Sequence, residues 1–248
     1  MQREEMSEAI KTKALQRLVT DLCAAHGDNL ASITLYGSNA SGKQTDAHSD
    51  HNVLVVLRRI AFDDLRLSQK ATRTWRNAGQ PPPVFFTVDE LKRAADVFPV
   101  EFLQMEKARN VLYGSDPFKF VEISRANLRH QTEYELRTKF IQLRRLYVSE
   151  SLSVANLSAL MIDSFASFAA LFRAVLILHD QDSPVLNADA VRRTVSLLGL
   201  DGTPFEWILE RRAGKASPVT ESDVNNIFAA YIAQIARVID EVDRIERL

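Results

Sequence analysis

A single cysteine, Cys23, stands in a chain of 248 residues. One thiol cannot close an internal disulfide, so the chain is not a disulfide scaffold, and its composition suits a reducing compartment. Cys23 falls on an apolar helix face, where a buried structural thiol is expected rather than a nucleophile. An excess of charge of one sign is also lacking. Lys and Arg number 31 against 32 Asp and Glu, giving a net charge of −1, so no global field draws the chain to nucleic acid or an anionic membrane. No apolar run is continuous enough to span a bilayer. The longest, 159–178, is interrupted by Asp163, Ser164, Ser167 and Arg173, which predicts a buried helix. The N-terminus opens on charged residues, without the apolar core of a secretion signal, so a cytoplasmic location with no membrane partner is expected. Repeats and low-complexity tracts are missing, and strand-like segments stop after Phe118.

Helical periodicity is present from the start. Met6, Ile10, Ala14, Leu18 and Leu22 predict an amphipathic helix over 7–26, closed by Gly27. Apolar runs predict strands over 30–36 and 53–57, then a helix over 62–77 broken by Gly79 and the Pro81-Pro82-Pro83 run. A short strand is expected over 84–87. Thr87 and Glu90 then form a capping-box pattern that starts a helix at once. Phe98-Pro99 interrupts that helix, a second follows over 100–107, and Val111-Leu112-Tyr113 predicts a fourth strand. Beyond it the pattern is helical: 125–148, an apolar helix over 154–179, then 188–198, 204–212 and a final helix capped by Thr220. The domains expected are an α/β module over 1–117 and an all-helical bundle over 118–248.

The segment between the first two strands carries the chemistry. Gly37-Ser38-Asn39-Ala40-Ser41-Gly42-Lys43 has the glycine and lysine spacing of a P-loop, but Gln44 stands where the magnesium-binding hydroxyl belongs. A P-loop also feeds a long crossover helix before a parallel strand, and the stretch from Thr45 to the second strand is too short for one. The other reading places Gly37 and Ser38 under a triphosphate. There glycine lets the backbone approach, and the hydroxyl and free N–H groups donate to phosphate. Acids one position apart on the next strand would share a side and hold metal ions.

The order Tyr36-Gly37-Ser38, loop, Asp50-His51-Asn52-Val53 resembles the nucleotidyltransferase superfamily, the polymerase-beta-like fold. The resemblance implies a small mixed sheet with flanking helices followed by a helical bundle, as in stand-alone bacterial members. The implied activity is transfer of a nucleoside monophosphate from a nucleoside triphosphate to a hydroxyl acceptor bound between the modules, with Mg²⁺ as the metal. Gly37, Ser38 and Lys43 would then bind nucleotide, and Asp50 would ligate metal. The family's second carboxylate maps to Asn52, whose amide oxygen carries no charge, so the implied site is degenerate and transfer is expected to be impaired. A third carboxylate has no counterpart in Val84-Phe85-Phe86-Thr87. Asp89 reaches the site only if that strand runs on; otherwise it is a first-turn helix acid.

Several residues keep two readings. His48, Asp50 and Asn52 alternate, and in an extended chain could hold a transition metal; otherwise His48 is a solvated loop residue. Lys43 is either a phosphate contact or solvated. Tyr36 and Phe86 are expected in the core, and His51 faces away from the site. In the bundle, Arg125 with His130 and Arg173 with His179 resemble the arginine-histidine pair of HEPN ribonucleases. A non-catalytic nucleotide-binding or protein-interaction module, without cofactor and dimeric through its last helix, is the remaining alternative.

Overall fold

The computed structural model describes residues 2–37, 40, 51–215 and 217–245, with only the backbone for 2–10. The chain divides into two compact units, 1–123 and 124–248. The division lies beyond the boundary expected at 118 because Phe118 is buried and Val121 and Ile123 pack beside it in the first unit's core.

In the first unit, helix α1 (Gln2–His26) precedes strands β1 (Leu30–Tyr36) and β2 (Asn52–Leu57), which pair antiparallel. Helices α2 (Phe62–Leu67) and α3 (Gln69–Asn77), strand β3 (Val84–Thr87), helices α4 (Val88–Ala94) and α5 (Pro99–Lys107) and strand β4 (Arg109–Gly114) complete it. Among the described residues the sheet order is β3-β2-β1-β4, with β3 parallel to β2 and β4 antiparallel to β1. The antiparallel return from β1 to β2 excludes a P-loop on geometry as well as on length.

Alternation along β2 splits the core in two. Val53, Val55 and Leu57 face Leu18 and Leu22 of α1 and Ala71 and Trp75 of α3. Leu54 and Val56 face Leu91, Phe102, Met105 and Phe118. Both faces of the central strand are therefore covered, which is why β2 reads as a continuous apolar run. Gly114 closes the sheet where no side chain fits. Its φ is +75°, and a Cβ there would stand 2.0 Å from the Ala31 carbonyl oxygen.

The single helix expected over 62–77 is two helices, divided at Ser68. The side chain of Ser68 is buried and hydrogen-bonded to His26 Nε2 at 2.7 Å. That bond ties the helix junction to the end of α1. Burial lowers the His26 pKa, and the nearby Asp64 carboxylate offsets this in part.

The second unit contains α6 (Arg125–Glu150), α7 (Val154–Leu178), α8 (Asn187–Leu198), α9 (Thr203–Arg212) and α10 (Glu221–Arg244). Helix α7 is its centre, with Leu157, Met161, Phe165, Phe168 and Phe172 buried. It is long and apolar enough to cross a membrane by length and composition alone, but half of that window is buried inside the structure. Val224, Phe228, Tyr231, Ile235 and Val238 of α10 are buried too, so that stripe is occupied within the unit rather than free to pair with a second copy. The Tyr231 hydroxyl is hydrogen-bonded to Ser164 at 3.0 Å, and burial raises its pKa.

Candidate functional site

The last residue of β1, Tyr36, lies opposite the first residue of β2, Asn52. This end of the strand pair is the mouth of the candidate site. Gly37 follows with φ +88°, a conformation that favours glycine. Its N–H donates to the Ala108 carbonyl at 2.9 Å, and its own carbonyl accepts from Ala40 N–H at 3.0 Å. A Cβ on Gly37 would meet Asn52 Nδ2 at 3.3 Å. The half-buried Asn52 side chain thus lies over bare glycine backbone. Burial raises the pKa of the neighbouring Tyr36, whose ring packs against the Leu54 and Val56 core.

Next to Asn52, His51 is buried, with its ring edge-on to Trp75 at a centroid distance of 6.4 Å. Its backbone N–H donates to Gln80 Oε1 at 2.9 Å. Trp75 Nε1 donates to the Pro81 carbonyl at 2.7 Å. The connection from α3 to β3 is therefore stitched to the mouth of β2. Gln80 carries no periodic signal in the sequence, and only the tertiary fold reveals its role.

The structure places Asp89 away from this mouth. β3 runs parallel to β2, with Leu54 level with Val84 and Leu57 level with Thr87. Continuing β3 therefore leads toward the Leu57 end of β2, about 17 Å from Asn52 at the usual rise per residue. The strand also stops there. Thr87 N–H donates to Glu90 Oε2 at 2.7 Å, and Glu90 N–H donates to Thr87 Oγ1 at 3.1 Å. Asp89 is an exposed acid in the first turn of α4, so the geometry corrects the expectation that it could join Asn52. Glu101 is exposed in the first turn of α5. On β3, the residues sharing a face with Asn52 and Leu54 are Val84 and Phe86, and neither is acidic.

Arg109, level with Tyr36 on β4, was not singled out by sequence reasoning. Its guanidinium is engaged by Asp116, with Nη2 to Oδ2 at 2.8 Å. That bond holds the Asp116 carboxyl below its usual pKa, helped by Phe118 N–H.

Ser38, Lys43, His48 and Asp50 lie outside the described residues. Among the described residues, no group of three or more His, Cys, Asp or Glu side chains could hold a metal ion. The donor that is described at the mouth, Asn52, is a neutral amide. These residues alone do not fit a two-metal centre, and no step through a metal follows from them.

Arg125 and Arg173 of the second unit have structural partners. Arg125 pairs with Asp180 at 2.8 Å and also donates to the Leu178 carbonyl. Arg173 Nε donates to the Pro184 carbonyl at 2.9 Å and Nη2 to Asn187 Oδ1 at 2.6 Å. His130 is exposed, whereas His179 caps the end of α7. Each arginine thus anchors the segment that follows α7.

No protein-family profile matches the chain, and no curated protein matches it by sequence. Among solved structures, it is similar to spectinomycin adenyltransferase AAD(9) from Enterococcus faecialis, crystallised with ATP and spectinomycin. The TM-score is 0.58 at 12% identity, over 92% of this chain and 98% of that one. The two chains share a fold. At this identity the likeness is one of architecture: a small mixed sheet with flanking helices, then a helical region.

Proposed function

We propose that this protein binds a nucleoside triphosphate at the mouth of β1 and β2 and transfers its nucleotidyl group poorly or not at all. The observation that carries the reading is Asn52, a neutral side chain lying over Gly37 where the family pattern has its second carboxylate. Two magnesium ions beside a triphosphate ordinarily require several anionic ligands. An amide oxygen can touch a metal but does not neutralise it. Val84 and Phe86 on the neighbouring strand, and the position of Asp89 beyond its far end, support the same reading. Gly37 supports the binding half, because a glycine with positive φ turns the chain at the end of β1 with no side chain in a ligand's way. The fold shared with an adenyltransferase crystallised with ATP and spectinomycin favours ATP as donor and a small molecule as acceptor; a hydroxyl on that acceptor, Mg²⁺ as the metal and a cytoplasmic setting rest on the sequence reading alone.

Calorimetric titration of ATP, with and without Mg²⁺, tests this on the wild type, Asn52→Asp and the double variant Asn52→Asp with Val84→Glu. Wild-type affinity should change little with Mg²⁺. Each added carboxylate should strengthen the Mg²⁺ dependence by roughly tenfold. Wild-type pyrophosphate release at ordinary enzymatic rates with a hydroxyl acceptor would refute impairment. Absence of ATP binding in all three proteins would refute the nucleotide site.

A further inference from the structure

The near-zero net charge conceals a local asymmetry. Positions 58–76 hold Arg58, Arg59, Arg66, Lys70, Arg73 and Arg76 against two acids, Asp63 and Asp64. Asp64 is buried and accepts from Ala61 N–H at 2.8 Å and from Asn29 Nδ2 at 3.2 Å, so it does not offset the outward-facing cations. Arg73 and Arg76 are exposed, and neither has an ion pair with a described residue.

These two arginines line an open cleft of about 590 Å³ between α3 and β3. Gln69, Thr72, Arg73, Arg76 and Asn77 recur at the spacing of one helix face, and Phe85 of β3 is the aromatic member of the wall. Phe85 is only half buried and also lines a second open cleft of about 620 Å³ with Phe86, Arg93 and Glu90. The Glu90 carboxylate there is taken by Thr87 N–H. Among the described residues β3 is an edge strand, so the two clefts flank an edge of the sheet that carries an aromatic ring with guanidinium groups on either side. Phe62, 75% exposed, lies three residues before Leu65, which also lines the first cleft.

We propose that the α3 and β3 clefts bind a single-stranded nucleic acid, with Arg73, Arg76 and Arg93 on its phosphates and Phe85 stacked against a base. Spaced cations beside a partly exposed aromatic ring match the two chemistries such a strand presents: a repeating anionic backbone and flat apolar faces. A protein partner reading the free strand edge would use the β3 backbone rather than the arginines, and a simple polyanion would make no use of Phe85. The proposal is independent of nucleotidyl transfer at the β1–β2 mouth.

The test is fluorescence anisotropy of a labelled oligouridylate with the full chain, in competition with inorganic polyphosphate. Binding should weaken with salt at a slope of roughly −2, as about three phosphate contacts on a single strand require. Arg73→Glu with Arg76→Glu should cost at least roughly tenfold in affinity. Both side chains are exposed, so an unchanged thermal melt confirms that the variant is folded. Phe85→Leu should weaken the oligonucleotide by roughly fivefold and leave polyphosphate binding unchanged. No anisotropy change up to roughly 100 μM, the weak limit of non-specific binding, would overturn the proposal. So would a charge-reversed variant that binds as wild type does. Equal responses of both ligands to Phe85→Leu would reduce the site to an anion patch and overturn the nucleic-acid assignment.

Discussion

The two ends of β2 are built from different chemistry. At the Leu57 end, acids do local structural work: Glu90 caps α4 through Thr87 N–H, and Asp64 caps the start of α2 through Ala61 N–H. At the Asn52 end, amides hold the chain. Gln80 accepts from His51 N–H, and Asn52 lies over Gly37. A carboxylate used as a cap is not free to hold a metal, and an amide that anchors a strand brings no charge. The far-end acids are thus spent on caps, and on the mouth side the Asp116 carboxylate is taken by Arg109.

A pair of glycines, one toward each end, offers the strongest way to break this comparison. Gly114→Ala forces a Cβ to 2.0 Å from backbone oxygen at φ +75°. It should cost about 3 kcal/mol or more in chemical denaturation. Gly37→Ala meets only the Asn52 amide, at 3.3 Å, and should cost about 1–2 kcal/mol, mostly from its positive φ. It should also weaken ATP binding, which Gly114→Ala would affect only through unfolding. Equal stability losses would mean that the mouth is as tightly packed as the rest of the sheet.

Next in size is Asp116→Asn. Because the folded pKa of Asp116 is lowered by the Arg109 bond, its contribution is present above the unfolded pKa and lost as pH falls through the folded one. The variant should lose about 1–2 kcal/mol at pH 7. The loss should shrink below about pH 4, and urea melts at both pH values measure it. A loss of constant size across that range would show that the carboxylate charge is not what matters.

The smallest effect belongs to the far-end cap. Glu90→Ala removes one arm of the capping box and should cost about 0.5–1 kcal/mol, with no change in ATP binding. A change in nucleotide affinity would show that the far end communicates with the mouth.

Much of this was legible locally. The alternation of Val53 to Leu57, the capping box at Thr87 and the substitution at Asn52 are all written in adjacent residues. What could not be read depends on partners distant in sequence. The break at Ser68 depends on His26, 42 positions earlier. The location of Asp89 depends on β3 running parallel to β2, a pairing direction that no local pattern encodes. The basic cleft was hidden for a related reason, since net charge averages over surfaces that the fold separates.

The Trp75–Pro81 and Gln80–His51 bonds have a mechanical consequence. They make the α3–β3 connection a short strut, anchored to Trp75 of α3 and to the backbone of His51 just before β2. Sliding β2 by one residue would break the Gln80 bond, so the strut fixes where the strand begins and, with it, the placement of Asn52 opposite Tyr36.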